Sequence, residues 1–203
     1  IGSYTVLGTL LTSIPLPTMQ PRDQLTEKCG QCTLCLDQCP TQAIESPYSV
    51  NASKCISYHT IENTGEIPLD IVNKLSDWAF GCDICQEVCP FNKPTSVSRK
   101  INPDPDLSPT CDTINVPYLL SLGSGEHKRL VKKRALKRTS RTSMIKNAAN
   151  LILAKGNQLS EETKKHLLSQ LDQARCGTNP HARAAIKRAK VRLKVEKKTR
   201  RIG

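Results

Sequence analysis

The chain has 203 residues, of which 37% are hydrophobic and only 3% aromatic, so one or two small domains fit but a single large apolar core does not. Its net charge is +12, and no apolar run approaches the roughly 18 residues that a membrane-spanning helix needs. The best stretch, Val6 to Leu16, is too short and is interrupted by Ser13 and Pro15. The charge is divided unevenly. Residues 1–125 hold seven Lys and Arg against thirteen Asp and Glu, a net of −6, whereas residues 126–203 hold 23 against five, a net of +18. An acidic half joined to a strongly basic half points to a polyanionic partner.

Residues 1–28 read as an extended lead-in with turns at Gly2 and Gly8 and a break at Pro15-x-Pro17. The chain opens on Ile1, with no basic stretch followed by an apolar one. This predicts the end of an upstream domain that lies outside the sequence, and a cytoplasmic setting. Residues 29–45 form a first cysteine loop, with a short helix near Leu34 to Gln38. An excursion at 46–66 follows. Pro68 then stands at a plausible first helical position, and Leu69, Val72, Leu75, Trp78 and Ala79 recur at helical spacing. The pattern predicts a helix of about three turns with Trp78 in the core, closed by Gly81. Residues 92–115, with four prolines, read as a linker. Five helices are predicted beyond it: Val116–Leu122, Glu126–Arg138, Thr142–Lys155, Glu161–Ala174 and Pro180–Val195. Ser160 with Thr163 opens the fourth, and Gly156-Asn157 closes the third with a left-handed cap.

Two cysteine runs carry the chemistry. The first is Cys29-x2-Cys32-x2-Cys35-x3-Cys39-Pro40, and the second, Cys82-x2-Cys85-x3-Cys89-Pro90, lacks its opening cysteine. Cys55 stands ready to supply the missing thiolate. In two-cluster bacterial ferredoxins the fourth cysteine of such a run crosses over to the other cluster. The same crossing here assigns Cys29, Cys32, Cys35 and Cys89 to one [4Fe–4S] cluster, and Cys39, Cys55, Cys82 and Cys85 to a second. Eight thiolates fill two sets with none left over. Disulfides would require an oxidising compartment, and zinc does not explain a three-step spacing that ends in Cys-Pro. Prolines 40 and 90 fit because each lacks an N–H and turns the chain away. Cys111 and Cys176 fall outside the arithmetic and are expected to be small buried hydrophobes.

Lys128, Arg129, Lys132, Lys133, Arg134, Lys137, Arg138 and Arg141 lie within fourteen residues, with Glu126 the nearby acid. Self-repulsion in such a run favours a phosphate-rich partner over a merely solvated face. Aromatics are scarce beyond Tyr118, so the contact should be phosphate-dominated and salt-sensitive. The tail Lys187 to Arg201 is also basic but ranks lower. The fold expected is α+β and mostly α. A ferredoxin-like domain for two [4Fe–4S] clusters at 29–91 precedes a basic domain of HEAT-like α-helical repeats at 116–203.

Three stretches resemble the epoxyqueuosine reductases: Gly2-Ser-Tyr-Thr-Val-Leu-Gly-Thr-Leu-Leu-Thr12, Cys55-Ile-Ser-Tyr-His-Thr-Ile-Glu62 and Gly81-Cys-Asp-Ile-Cys-Gln-Glu-Val-Cys-Pro90. The resemblance implies a cobalamin-dependent oxidoreductase that reduces epoxyqueuosine to queuosine at the tRNA wobble position, with electrons passing through both clusters to cobalt. It also implies an external electron donor, tRNA as partner, no membrane and a monomer. In that family the cobalamin-binding domain and the catalytic acid lie upstream of the position matching Ile1. No catalytic residue is therefore expected in this chain, and the chain alone is expected to be inactive. Ser57, Tyr58 and Thr60, flanking Cys55, and Asp83 are candidates for the rim of the corrin ring. They could instead satisfy backbone groups or cluster sulfurs. His59 reads as a loop surface residue. The tRNA contacts implied are Arg134, Lys137, Arg138, Arg141, Lys146 and Asn147. Phe91 stands where the family often has Trp, and Lys146-Asn147 where it tends to have Arg-Asn, which loses the bidentate fork.

Two other functions use the same ligands: a plain two-cluster electron-transfer module, and a corrinoid enzyme of the reductive dehalogenase kind. Neither needs a polyanion-binding surface, so the +18 half argues against both. The ligand arithmetic makes its own prediction. Cys55→Ala should lower iron from about eight to about four atoms per chain and leave the first cluster's spectrum in place. Iron analysis after anaerobic reconstitution checks this, and a count that stays near eight removes Cys55 from the ligand set.

Overall fold

In the computed structural model, which describes residues 3–5, 8–16, 29–93 and 113–194, the cysteine-rich half is built from single turns. α1 (Leu34–Asp37) and α4 (Ile84–Glu87) occupy equivalent places in the two cysteine runs and pack on each other. Each stops within about a turn of a Cys-Pro pair. The proline cannot donate a hydrogen bond, and it pushes the residue before it towards extended backbone. Cys89 obeys, at φ −69° and ψ 121°. Between the runs, β1 (Ile44–Ser46) and β2 (Ser49–Val50) form a small antiparallel ribbon, with Ile44 opposite Val50 and Ser46 opposite Ser49. A 3-10 turn at Ala52–Lys54 is capped by Asn51, and Lys54 pairs with Glu45 at 2.7 Å. α2 (Ile56–Ile61) starts directly after Cys55.

The helix expected from Pro68 to Ala79 is much shorter. α3 (Leu69–Val72) is one turn, with Pro68 just outside it. Lys74 and Leu75 bond only three residues back, and Ser76 turns left-handed at φ 51°. Asn73, Ser76 and Asp77 explain the failure, since their short polar side chains compete for the backbone and favour turns. Leu75 nevertheless reaches the core, and Trp78 and Ala79 pack against its edge. The periodicity identified Val72, Leu75, Trp78 and Ala79 as inward but not the helix, and Leu69 is 51% exposed while Ile71 takes its place in the core.

The basic half follows the predicted order. α5 (Val116–Ser121) is capped by Asn115, which accepts from the Tyr118 N–H at 2.8 Å. α6 (Ser124–Val131) opens with Glu126 reaching back to the Gly123 N–H at 2.7 Å. The continuous helix expected to Arg138 breaks after Val131. Lys133 is left-handed at φ 56°, and a 3-10 turn covers Ala135–Arg138. An unbroken helix would stack like charges at neighbouring i, i+4 positions, and the break spreads them out. α7 (Arg141–Lys155), α8 (Glu161–Gln173) and α9 (Pro180–Lys194) start at caps from Ser140, Ser160 and Asn179, whose side-chain oxygens accept from Ser143, Thr163 and Ala182 N–H groups.

α7 is the central strut. Every residue from Ser143 to Leu153 is buried, and the helix packs on α2, α3, α5 and α9. A helix hidden on all sides belongs in the middle of a core. That core is continuous: Ile56, Ile67, Val72 and Leu75 from the cysteine half join Leu120, Ile145, Ala148, Ala185 and Ala189 from the helices. The two halves thus share one interior, and most of the linker expected at 92–115 lies outside the described residues. Alanines 148, 149, 182, 185 and 189, all fully buried, let α7 and α9 approach closely. Gly156 belongs to the same contact. Its φ is −52° and not left-handed, and an added Cβ would fall 2.7 Å from Arg192 Cγ and 3.3 Å from Leu193 Cδ2. The glycine is there for the approach of α9, not for a cap. Cys176 is buried in this core as expected, whereas Cys111 lies outside the described residues. Among those residues no helix is long and apolar enough to cross a membrane.

The close approach at Gly156 predicts that Gly156→Ala forces α9 outward and costs about 1–3 kcal/mol of stability, the usual range for overpacking. Urea unfolding of the two proteins checks it, and equal midpoints would show that the contact is soft.

Candidate iron–sulfur site

Four thiols converge on one cavity of about 250 Å³: Cys39 after α1, Cys55 at the head of α2, and Cys82 and Cys85 around the start of α4. Pro40, Ala43, Ile44, Val50, Ile56 and Ile84 form much of the remaining wall. These four cysteines are the set that the crossed arithmetic grouped, drawn from three separate stretches of chain. Burial pushes the Cys82 and Cys85 thiols up, and mutual repulsion with Cys55 and Cys39 adds to it. Cys39 differs. Burial, the largest influence on it, favours the thiol. The Thr41 hydroxyl at 3.6 Å and the Ala43 N–H at 3.2 Å, with further backbone donors, outweigh burial and bring the pKa down.

So crowded a set holds four negative charges only around a cationic centre. Four cysteine thiols drawn from three stretches around one largely apolar cavity are the donor set that a [4Fe–4S] core takes, so these residues fit an iron–sulfur cluster. Of the other four cysteines, Cys29 and Cys32 are exposed, and Cys35 and Cys89 are half-buried like those of the cavity. Gly30, at φ 49°, makes the tight turn in which the Cys32 N–H bonds to the Cys29 carbonyl at 2.8 Å.

Ser57 and Asp83 line the four-cysteine cavity, and Tyr58, the residue after Ser57, is 40% exposed. Thr60 is not at the surface. It is 1% exposed, and its hydroxyl donates to the Ile56 carbonyl at 2.8 Å and accepts the Gly81 N–H at 3.0 Å. The expectation that it borders a corrin ring is corrected, since its hydrogen-bonding capacity is spent inside the fold. His59 is corrected as well. It is 5% exposed, with Nε2 2.7 Å from the Ser53 carbonyl and Nδ1 3.0 Å from the Asn63 amide. It holds the excursion together.

Residues 28–92 match a family model described as a 4Fe-4S double cluster binding domain. The epoxyqueuosine reductase of Cellulophaga algicola is 42% identical to this chain over 149 residues, 72% of this chain and 46% of the relative. That of Escherichia coli K12 is 35% identical over 179 residues, 88% of this chain and 44% of the relative. The chain belongs to the epoxyqueuosine reductase family. A solved epoxyqueuosine reductase from Streptococcus thermophilus, 25% identical, superposes with a TM-score of 0.65 over 88% of this chain and 45% of that one. The chain spans about half the length of the curated relatives it matches.

The basic residues that the epoxyqueuosine reductase likeness singled out divide in two. Lys137 and Arg138 are exposed, and Arg134 and Arg141 are partly so. Arg138 pairs with Glu62 across the two halves. Arg134 donates to the Leu130 carbonyl at 3.0 Å, and Arg141 to the Leu122 carbonyl at 3.1 Å and to that of Arg175. Lys146 and Asn147 are not on a surface. They are 2% and 0% exposed, which corrects their assignment to direct RNA contact. Lys146 Nζ donates to the carbonyls of Asn63 at 2.5 Å and Gly65 at 2.9 Å. The Asn147 amide donates to those of Thr60 at 2.7 Å and Ala79 at 2.9 Å. The sequence held a signal for this. Met144 to Leu153 is apolar apart from Lys146, Asn147 and Asn150, and a helix that apolar hides its polar residues too.

Burial pushes the Lys146 ammonium down from 10.5 to about 8. Between those values the unfolded chain carries the proton and the folded chain does not, so wild-type stability rises with pH across that window. Relative to Lys146→Met, the wild type should gain about 3 kcal/mol from pH 8 to 10.5, at about 1.4 kcal/mol per pH unit. Paired urea titrations at several pH values check this, and a difference independent of pH would mean that Lys146 is well solvated.

Proposed function

We propose that this chain is the cluster-carrying and RNA-holding part of an enzyme that reduces epoxyqueuosine to queuosine at the wobble position of a tRNA anticodon. The observation that carries the reading is the gathering of Cys39, Cys55, Cys82 and Cys85 from three stretches around one cavity in a member of this family. Cys29, Cys32, Cys35 and Cys89 complete a first [4Fe–4S] cluster, and the gathered four hold the second. Ser57, Tyr58 and Asp83 would border cobalamin. When bound, the clusters supply one-electron steps and cobalamin a cobalt centre that delivers electrons to substrate.

The overall conversion takes two electrons and two protons: the epoxide C–O bonds break, an alkene forms and the oxygen leaves as water. The electrons come from an external donor. The chain's own residues prepare the relay. Ile56, 2% exposed, keeps water from one side of the second thiol set, and Thr41 with the Ala43 N–H stabilises the Cys39 thiolate. In the basic half, α7, α8 and α9 read as a HEAT-like layer. Lys137 with Arg134, Arg138 and Arg141 forms the phosphate-facing patch. The reading carries with it a monomer working in the cytoplasm.

A filter-binding titration with tRNA tests the surface. Affinity should fall steeply between low and moderate salt, and Lys137→Ala should reduce the slope of log K against log salt by about one. Binding that is undetectable at low salt, or indifferent to salt, would defeat the RNA reading.

A further inference from the structure

The two stretches that deliver Cys55 and Cys82 to the shared cavity meet at one side chain of the basic half. Cys55 heads α2, and five residues on lies Thr60. Cys82 follows Gly81, which is left-handed at φ 72°, and Ala79 lies just upstream. Asn147 on α7 spans the two, its amide nitrogen donating to the Thr60 carbonyl at 2.7 Å and to the Ala79 carbonyl at 2.9 Å. The amide cannot be turned over, because both neighbours are acceptors and only its N–H groups satisfy them. Its oxygen finds no partner. Thr60 closes the loop from the other side. Its hydroxyl accepts the Gly81 N–H at 3.0 Å while donating to the Ile56 carbonyl at 2.8 Å, next to Cys55. Three hydrogen bonds thus lock the Cys55 stretch to the Cys82 stretch, and two of them come from a helix that carries no cysteine.

We infer that Asn147 is a positioning residue for the second cluster: it sets the separation of Cys55 and Cys82 from within the helical half. This rests on the assignment of Cys39, Cys55, Cys82 and Cys85 to one cluster. The molecule contains its own comparison. Asn150, one turn along α7, is equally buried, and neither atom of its amide has a hydrogen-bond partner. It fills volume without tying anything, whereas Asn147 ties two ligand-bearing stretches that share no secondary structure.

Full-chain Asn147→Leu, Asn150→Leu and Cys55→Ala are reconstituted anaerobically beside the wild type, and iron per chain and the paramagnetic resonance of the reduced clusters are recorded. Asn147→Leu should lose the second cluster selectively, falling from about eight towards about four irons or shifting that cluster's signal and potential, with the first cluster unchanged. Asn150→Leu should keep both clusters, and Asn147→Gln, which retains the donors, should restore part of the second. Wild-type iron content with unshifted signals in Asn147→Leu overturns the proposal, and so does an equal loss in Asn150→Leu. Should Asn147→Leu fail to fold, Thr60→Val carries the same expectation, and unaltered clusters there overturn it. Cys55→Ala separates the two ideas. If that variant keeps eight irons, the ligand assignment is at fault. If it halves the iron while Asn147→Leu and Thr60→Val change nothing, the positioning role alone falls.

Discussion

Four backbone carbonyls on the cysteine half, those of Thr60, Asn63, Gly65 and Ala79, turn towards α7. Lys146 and Asn147 on α7 meet all four. A buried carbonyl left without a donor costs about 1–3 kcal/mol. The irregular segment from Ile56 to Gly81 therefore keeps its shape only while α7 lies against it. Short turns, one-turn helices and a left-handed serine cannot stabilise themselves. The strut also explains why apolar residues from both halves merge into one core: a helix buried on every side has to be covered on every side.

The second constraint is electrostatic. Cys39, Cys55, Cys82 and Cys85 share walls that are mostly apolar, where burial and repulsion from neighbouring thiols push the Cys82 and Cys85 thiols up. Such a site is poised for a cationic inorganic core and ill-suited to free thiolates. Metal–thiolate bonds then do what apolar burial does elsewhere, in a segment whose own helices are a single turn long. Cys39 is the exception that the local backbone prepares, because the turn at Thr41–Ala43 aims its donors at the sulfur.

Charge also divides the labour across the molecule. The basic half presents Lys137 outward, and it uses other cations as stitching. Lys155 reaches Asp77, Arg138 reaches Glu62 and Arg188 lies 3.5 Å from Glu66, each joining a helix of the basic half to the acidic half. Exposed pairs of this kind stabilise little singly, but their pattern matches the −6 and +18 halves and favours this docking over others. The break at Lys133 belongs to the same economy of charge, since it spares α6 a longer stack of like charges.

The two cysteine runs, the ferredoxin crossover and the lone Cys55 grouped Cys39, Cys55, Cys82 and Cys85 in the sequence, and the fold lines one cavity with those four; thiolate bonds are few, short and directional, so a cluster admits a narrow set of intervals. The order of α5 to α9, and the cap at Ser160, were equally legible, being local chemistry that a helix start imposes on a few neighbouring residues. Tertiary structure decided the rest. Lys146 and Asn147 look like surface polar residues, Thr60 and His59 like site residues or loop decoration, and Gly156 like a cap, until α7 and α9 are placed. The groups that set the roles of Lys146, Asn147 and Gly156 lie 36 to 87 positions away, and those that occupy Thr60 and His59 lie within 21. A one-dimensional pattern records which faces are apolar, but not which backbone groups are left needing a donor when those faces meet.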